Sequence, residues 1–285
     1  MLNLTDHELQ QIERSNASGR RPVVFIHGLC LLPSSWNRWR TYFEERGYAT
    51  ISPGWPDDPD TVAAAREHPQ VFAGKSIGDV ADHYLNAIAR LTAAPVIIGH
   101  SFGGLIAQRL AGEGVAEATV AIAPAPFRGV LPLPLSSLRS AAPVLRSPAN
   151  YARAVTLTFE QFAYGWANAL EADEARELYE RYHVAAGGRP LFSAATANLN
   201  PWSDDRVDTR RRDRGPLLFV AGAEDNTVPR AIVAASCRRQ AQNAEVTDLV
   251  TVPRRGHSLT IDHGWEFVAE LAFEFASTHA PALAR

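Results

Sequence analysis

The chain has 285 residues, of which 46 % are hydrophobic and 21 % charged, and its formal net charge is −3. This length supports one large hydrophobic core, or one core with a covering subdomain. The charge balance excludes a nucleic-acid-binding footprint and an acidic tail. The arginine-rich stretch 206–214 is interleaved with aspartates, which is typical of a solvated linker.

Cysteine usage and the N-terminal residues indicate where the protein works. Cys30 and Cys237 imply no disulfide framework, and reduced thiols are expected. Residues 1–11 are polar, and the chain has neither a signal-peptide pattern nor a run of about 18 apolar residues. We therefore expect a cytoplasmic protein without a membrane partner. The oligomeric state stays open between monomer and homodimer.

Strand and helix patterns alternate along the first third of the chain. In the polar extension, residues 1–20, Thr5 and Glu8 have the spacing of a helix cap, which predicts a short helix over 6–14. The following predicted elements are a buried strand at 22–26, a helix at 36–46 capped by Ser34-Ser35, a strand at 48–51, and helices at 61–67 and from 77 onward.

One stretch in this series has the form of a catalytic turn. An apolar strand at 95–98 leads directly into Gly99-His100-Ser101-Phe102-Gly103, and a helix is predicted over 104–110. Glycines at 99 and 103 allow a tight turn and a close approach of strand and helix. A serine at the apex of such a turn presents its hydroxyl outward, where it can act as a nucleophile. The alternative is a glycine-rich turn with an incidental serine.

The pattern breaks after a predicted strand at 118–123. Residues 124–148 contain six prolines, which argues against a regular helix or a central strand there. Helical patterns follow at 159–170, 173–183 and 191–199, and then the alternation resumes with a strand at 216–221, a helix at 230–240, a strand at 246–252 and a helix at 265–277. This order predicts an α/β fold with a parallel sheet, a core of residues 21–123 and 213–285, and an insertion at 124–212.

Ser101 needs a base and an orienting acid, and both are expected at the carboxyl ends of later strands. The predicted strand 216–221 is followed by Glu224-Asp225, and the strand 246–252 by His257. Ser101, Asp225 and His257 therefore follow one another in the order that this arrangement requires. Glu224 and Asp262 stay open as alternative acids, with Asp225 favoured because it lies deeper in its loop.

Acyl transfer also requires donors for the oxyanion. The backbone N–H of Phe102 is one candidate, since it follows the nucleophile directly. The second is the N–H of Leu29, because His27-Gly28-Leu29 follows the first predicted core strand. The alternative is that His27-Gly28 only ends that strand.

Together these motifs resemble the α/β-hydrolase superfamily. The matching pieces are His27-Gly28, the turn 99–103, and the loops 222–229 and 255–258; the resemblance covers about 21–278. Spacing and insertion are most similar to the capped serine esterase and non-haem haloperoxidase-like branch. The resemblance implies a mostly parallel sheet of about six strands flanked by helices, since residues 1–20 offer no counterpart of the family's first two strands. It also implies that 124–212 form a helical cap inserted before the acid-bearing strand.

The residue type of the nucleophile then limits the possible reactions. Relatives that open epoxides or remove halide use Asp at the turn, and dienelactone hydrolases use Cys, so Ser101 implies an acyl-enzyme route. We expect a serine hydrolase for small to medium hydrophobic carboxylic esters, with neither cofactor nor metal. The expected substrate-binding residues are Cys30, Phe127, Phe159, Phe162 and Trp166.

Other functions on the same residues stay open. A lactonase, a perhydrolase, an acyltransferase or a lyase could use the same three side chains. A non-catalytic ligand-binding protein of this fold is the alternative from another class, because such proteins can retain an intact triad.

Overall fold

The computed structural model describes residues 4–283. Its first half comprises α1 (Asp6–Ser18), β1 (Pro22–Ile26), α2 (Asn37–Glu44), β2 (Ala49–Ile51), α3 (Val62–Glu67), α4 (Ile77–Ile88), β3 (Val96–His100), α5 (Phe102–Gly112) and β4 (Ala118–Ile122). The remainder comprises α6 (Leu135–Leu145), β5 (Ala154–Val155), α7 (Phe159–Gly165), α8 (Ala172–Tyr182), β6 (Ala186–Gly187), α9 (Gly188–Thr196), β7 (Leu217–Gly222), α10 (Arg230–Gln240), β8 (Thr247–Val252) and α11 (Trp265–His279).

Six parallel strands form the central sheet, in the order β2-β1-β3-β4-β7-β8. The strands β1, β3, β4 and β7 are buried along their whole length, because helices cover both faces of the sheet. The predicted α/β class, the six strands and their parallel pairing are confirmed.

The N-terminal extension is a packed helix. The predicted capping box forms between Thr5 and Glu8, and the helix continues to Ser18, beyond the predicted end. On its inner face Glu8 lies 2.9 Å from His83 of α4, and Gln11 accepts a hydrogen bond from the backbone of Ser52. These buried polar contacts attach α1 to β2 and α4, so the helix packs against the edge of the sheet that β2 forms.

The prediction that residues 124–148 exclude a helix is wrong, because α6 spans Leu135–Leu145. Position explains the difference: Pro134 is the residue before the first turn, where the missing N–H costs nothing. Pro143 lies close to the C-terminal end and removes only one late hydrogen bond. A smaller difference concerns Ser34-Ser35, which lie within a 3₁₀ turn, Pro33–Trp36, ahead of α2.

Between β4 and β7 the chain leaves the sheet. We call residues 123–216 the inserted segment; it contains α6 to α9 and a short antiparallel pair, β5 with β6. Part of it forms a second apolar cluster, in which Phe162 and Trp166 pack with Cys30, Leu31 and Ile261 from the loops of the sheet. The proposed division of the chain into a core and a cap stays a prediction.

Candidate active site

Ser101 lies at the sharp turn between β3 and α5. Its backbone has φ 56° and ψ −121°, a conformation that a residue with a Cβ rarely adopts. A Cβ on Gly99 would lie 2.1 Å from the carbonyl oxygen of Gly103, and one on Gly103 would lie 2.1 Å from that of Ile26. Both positions therefore require glycine, and the crossing of strand and helix fixes the serine in its strained conformation.

The two other predicted residues form a buried pair. His257 follows β8 and Asp225 follows β7, and the imidazole Nδ1 lies 2.7 Å from the carboxylate Oδ2. Backbone N–H groups of Thr227 and Val228 donate to the other carboxylate oxygen at 2.8 and 2.7 Å. These bonds fix the carboxylate so that it faces Nδ1, which leaves Nε2 as the free nitrogen of the ring.

Neither alternative acid reaches this ring. Glu224 is exposed, and its backbone carbonyl accepts a hydrogen bond from Asn168. Asp262 is buried, but it forms an ion pair with Arg255 and accepts a hydrogen bond from Gly264. Asp225 is therefore the acidic partner of His257.

The side chains around His257 position its imidazole ring and leave Nε2 available. Nε2 is buried and makes no hydrogen bond with a protein group, Ser101 Oγ included, within residues 4–283. The ring packs edge to face against Trp166 at 4.7 Å between centroids and lies 4.7 Å from the ring of His100. Ser101 and His257 nevertheless line the same cavity, so the free nitrogen and the hydroxyl face one space.

His100 supports the backbone of this loop and was not anticipated from the sequence. Burial, and then the nearby His257, hold its pKa well below the usual range, so the ring is neutral. Its Nε2 lies 2.9 Å from the carbonyl oxygen of His257, which makes this nitrogen the donor. The residue before Ser101 thus ties the loop of His257 to the catalytic turn.

The predicted oxyanion donors are backbone groups beside Ser101. The N–H groups of Leu29 and Phe102 donate to no protein acceptor in the described part of the chain. A Cβ on Gly28 would lie only 2.8 Å from Ser101 Cβ, so glycine brings the loop after β1 against the serine. Cys30 continues this loop with φ 66° and lies on the wall of the cavity.

A buried polar network underlies the same loop and escaped sequence reasoning. Asp58 lies 2.9 Å from His27 Nε2 and 3.3 Å from Lys75 Nζ, and it accepts a hydrogen bond from the backbone of Trp55. The other ring nitrogen of His27 lies 2.9 Å from the carbonyl oxygen of Gly28. Trp55, from the loop that contains Asp58, donates its indole N–H to the carbonyl oxygen of His27 at 3.2 Å, which ties this loop to the strand end from which the Leu29 N–H projects.

The cavity above Ser101 has a volume of about 260 Å³ and a mostly apolar wall. The wall combines the turn and loops of the sheet with α6, α9 and the residue after α7. Two of the predicted pocket residues, Cys30 and Trp166, belong to it. Polar groups on it include the hydroxyls of Ser140 and Thr227, which bond to each other at 2.7 Å, and the hydroxyl of Ser137, which has no hydrogen-bond partner among the described residues.

The other predicted pocket residues do not line this cavity. Phe127 is buried in the main core, because the chain returns to the sheet directly after β4. Phe162 stacks on Trp166 at 5.9 Å and lies one layer behind it. Phe159 packs against Tyr179. The number of aromatics in the sequence does not reveal which of them faces the cavity.

Hydrogen bonds connect the residues after α7 to the loops that follow β7 and β8. Trp166 accepts a hydrogen bond from the backbone of Ser258 at 3.0 Å, and Asn168 donates to the backbone of Glu224 at 2.7 Å. Thr227 donates to the carbonyl of Gly165 at 2.7 Å. This part of the inserted segment is thus fixed on the loops that carry Asp225 and His257.

Residues 4–283 contain no cluster of three or more His, Cys, Asp or Glu side chains arranged to hold a metal ion. None of the helices within this range has the length and apolar character needed to cross a bilayer.

Known proteins share this architecture. The solved structures that resemble the chain include a monoacylglycerol lipase from Paleococcus ferrophilus, with 17 % identity, a TM-score of 0.61, and coverage of 91 % of this chain and 95 % of that one. A pyrethroid hydrolase from Sphingobium faniae has 16 % identity and a TM-score of 0.63, with 92 % and 98 % covered.

An extracellular alpha/beta-hydrolase from a Paenibacillus species has 15 % identity and a TM-score of 0.62, with coverage of 90 % of this chain and 98 % of that one. A search of curated proteins by sequence finds no significant match. The sequence model of the alpha/beta hydrolase family matches residues 23–271, which include the turn at Ser101, the loops of Asp225 and His257, and the inserted segment. With this match and the six-stranded parallel sheet, the chain belongs to the alpha/beta hydrolase family.

Proposed function

We propose that the protein is a serine hydrolase that cleaves small to medium hydrophobic carboxylic esters. One observation carries the proposal: a strained Ser101 and a buried His257–Asp225 pair open into the same apolar cavity. The family match and the resemblance to a lipase and a pyrethroid hydrolase support hydrolysis of an ester.

The proposed reaction passes through an acyl-enzyme. His257 Nε2 accepts the proton of Ser101 as Oγ attacks the ester carbonyl, and Asp225 stabilises the imidazolium. Hydrogen bonds of this kind are often long without substrate and tighten when it binds, which accommodates the unpartnered Nε2. The imidazolium then protonates the leaving alcohol, and a water activated by the same nitrogen hydrolyses the acyl group.

The backbone supplies the stabilisation of negative charge. The N–H groups of Leu29 and Phe102 are proposed to donate to the oxyanion of both tetrahedral intermediates. Because His27 and Asp58 hold the end of β1, the Leu29 donor is preorganised before substrate arrives.

The cavity defines the substrate class. Its wall includes Leu133, Leu138, Val144 and Leu157, and its volume of about 260 Å³ suits a short acyl chain or a small ring. We propose that the inserted segment acts as a cap, as in the capped serine esterase branch, and that the enzyme needs no cofactor. A cytoplasmic location also stays a proposal.

The test is turnover of p-nitrophenyl butyrate by the wild type, Ser101→Ala and Ser140→Ala. We expect Ser101→Ala to lower kcat by about 10⁶. Ser140→Ala is the matched control, because its hydroxyl lies on the cavity wall and, within residues 4–283, bonds to Thr227 and not to Ser101 or His257, and we expect it to retain most activity. Comparable rates for Ser101→Ala and the wild type would refute the proposal. Release of free acid separates hydrolysis from acyl transfer.

A further inference from the structure

Four leucines lie exposed within eight residues at the edge of the cavity. Leu131, Leu133, Leu135 and Leu138, together with the residues between them, form what we call the leucine segment; their exposed fractions are 77, 65, 83 and 40 %. Single exposed leucines need no explanation, whereas a run of them marks a contact surface. Leu133 and Leu138 also line the cavity, so this surface continues into its mouth.

A second loop extends the same surface. The side chain of Asn198 accepts a hydrogen bond from Gly129 N–H at 2.6 Å and donates to the carbonyl of Val130 at 3.0 Å. These two bonds hold Leu199, which is 86 % exposed, beside the start of the leucine segment. The exposed apolar side chains therefore come from two parts of the chain that the fold brings together.

The helix α6 separates the cavity from solvent and has two different faces. Its inner face contributes Ser137, Ala141 and Val144 to the cavity wall. Its outer face carries Leu135, Arg139 and, one residue beyond the helix, Arg146, which follow helical spacing and are exposed. The outside of the cavity wall is thus apolar and cationic.

The charge around the leucine segment has one sign. Residues 118–159 contain four arginines, no lysine and no Asp or Glu, although the whole chain has a net charge of −3. Of these arginines Arg139, Arg146 and Arg153 are exposed, and none of the three forms an ion pair within residues 4–283. The guanidinium of Arg139 lies over the ring of Tyr164 at 4.0 Å.

Acidic side chains of the inserted segment are concentrated elsewhere. Of its ten acidic residues, five lie at the start of α8 or along it and four lie between positions 204 and 213; α8 packs on α7, whereas α6 packs on α7 and α9. The leucine segment, the outer face of α6 and the loop 195–203 that carries Leu199 therefore contain arginines but no acidic side chain.

We propose that this surface docks on an anionic lipid surface. Exposed leucines that enter the boundary between headgroups and acyl chains, flanked by arginines at the level of the phosphates, are the combination that such surfaces select. The docking would place the mouth of the cavity against the lipid, so that an ester dissolved there reaches Ser101 without crossing water. The proposal departs from the sequence-based expectation of no membrane partner, which was based on the lack of a long apolar run; docking on a lipid surface requires no such run.

The test is co-sedimentation with vesicles of phosphatidylcholine alone and of an equal mixture of phosphatidylcholine and phosphatidylglycerol. We expect binding to the anionic vesicles that weakens with salt. The double variant Leu131→Ser/Leu135→Ser should lower the partition coefficient at least about tenfold, because both side chains lose their burial in lipid. Arg139→Gln/Arg146→Gln should lower it by about fivefold for each arginine.

Controls separate docking from catalysis. Neither Leu131 nor Leu135 lines the cavity, so the double variant should hydrolyse soluble p-nitrophenyl acetate as the wild type does. Phe267→Ser, which removes an exposed aromatic from α11, should bind vesicles normally. Ser101→Ala should also bind normally, so a failure of the proposed hydrolase activity leaves this result unaffected.

Three outcomes would overturn the proposal. They are no binding to the anionic vesicles, equal binding by the wild type and the leucine variant, and a wild-type dimer in light scattering that the leucine variant dissociates. In the third case the surface would be covered by a second copy of the chain.

Discussion

The two sides of the cavity are built differently. On the sheet side, Ser101, His257 and Asp225 each follow a strand of the central sheet, and each is fixed by a backbone turn or by hydrogen bonds. On the outer side, α6 and the leucine segment expose leucines, and the hydroxyl of Ser137 has no hydrogen-bond partner within residues 4–283. The difference is the basis for our proposal that the sheet side carries the chemistry and that the outer side selects the molecules that reach it.

Loss of the correct carboxylate should have the largest effect on the sheet side. Asp225→Asn cannot accept the Nδ1–H in the same way, and we expect kcat to fall by about 10⁴. Glu224→Gln is the matched control, because Glu224 is adjacent, acidic and exposed, and should retain its rate. Steady-state kinetics on a soluble aryl ester measures both, and near-normal rates for Asp225→Asn would contradict the assignment.

The next prediction concerns the loop that carries the Leu29 donor. In Gly28→Ala the new Cβ would meet Ser101 Cβ at 2.8 Å and the carbonyl oxygen of His100 at 2.9 Å. The loop must shift, and we expect kcat to fall by roughly 10² to 10³ as the oxyanion donor moves. Circular dichroism and kcat are measured together. A folded variant with unchanged kcat would show that this loop does not assist the reaction.

A buried histidine in the inserted segment should respond to pH. Burial, and then the charge of Arg66, lower the pKa of His183 from 6.5 to about 4. The unfolded chain therefore binds a proton more readily between these values, and the free energy of unfolding falls as pH drops from about 6.5 to about 4. The contribution of His183 amounts to at most about 3 kcal/mol.

Urea unfolding across that pH range tests this effect. His183→Phe should flatten the loss of stability in acid, whereas His68→Gln, at an exposed histidine, should leave it unchanged. Equal pH dependence of the wild type and His183→Phe would show that this ring does not couple protonation to folding.

The smallest expected effect belongs to the outer side. Ala141 lines the cavity, whereas Ala142, the next residue of α6, is exposed, so Ala141→Phe and Ala142→Phe form a matched pair. Each CH₂ buried in an apolar pocket contributes about 0.8 kcal/mol, or about fourfold in rate. We expect Ala141→Phe to move the optimum of kcat/KM to shorter acyl chains in a series of p-nitrophenyl esters. An identical optimum in both variants would place the acyl chain elsewhere.

The sheet side of the cavity could be predicted from the sequence better than the outer side. Ser101 could be predicted because Gly99 and Gly103, on either side of it, mark a tight turn. Asp225 and His257 could be predicted because parallel strands end at the same edge of the sheet. By contrast, the position of Asp58 beneath His27 depends on loops that follow no local pattern.

The outer side was the less predictable part. The number of prolines does not show where each one lies in a helical turn, so the count alone does not predict α6. Whether an aromatic such as Phe162 faces the cavity or lies behind Trp166 depends on tertiary packing, which helical periodicity does not determine.

Covalent labelling tests the central assignment most directly. A fluorophosphonate phosphonylates the activated nucleophile of a serine hydrolase with loss of fluoride, and intact mass followed by peptide mapping identifies the residue. We predict one adduct, on Ser101, that Ser101→Ala abolishes and His257→Ala strongly slows. An adduct on another residue, or a wild-type protein that takes up no label, would contradict this account.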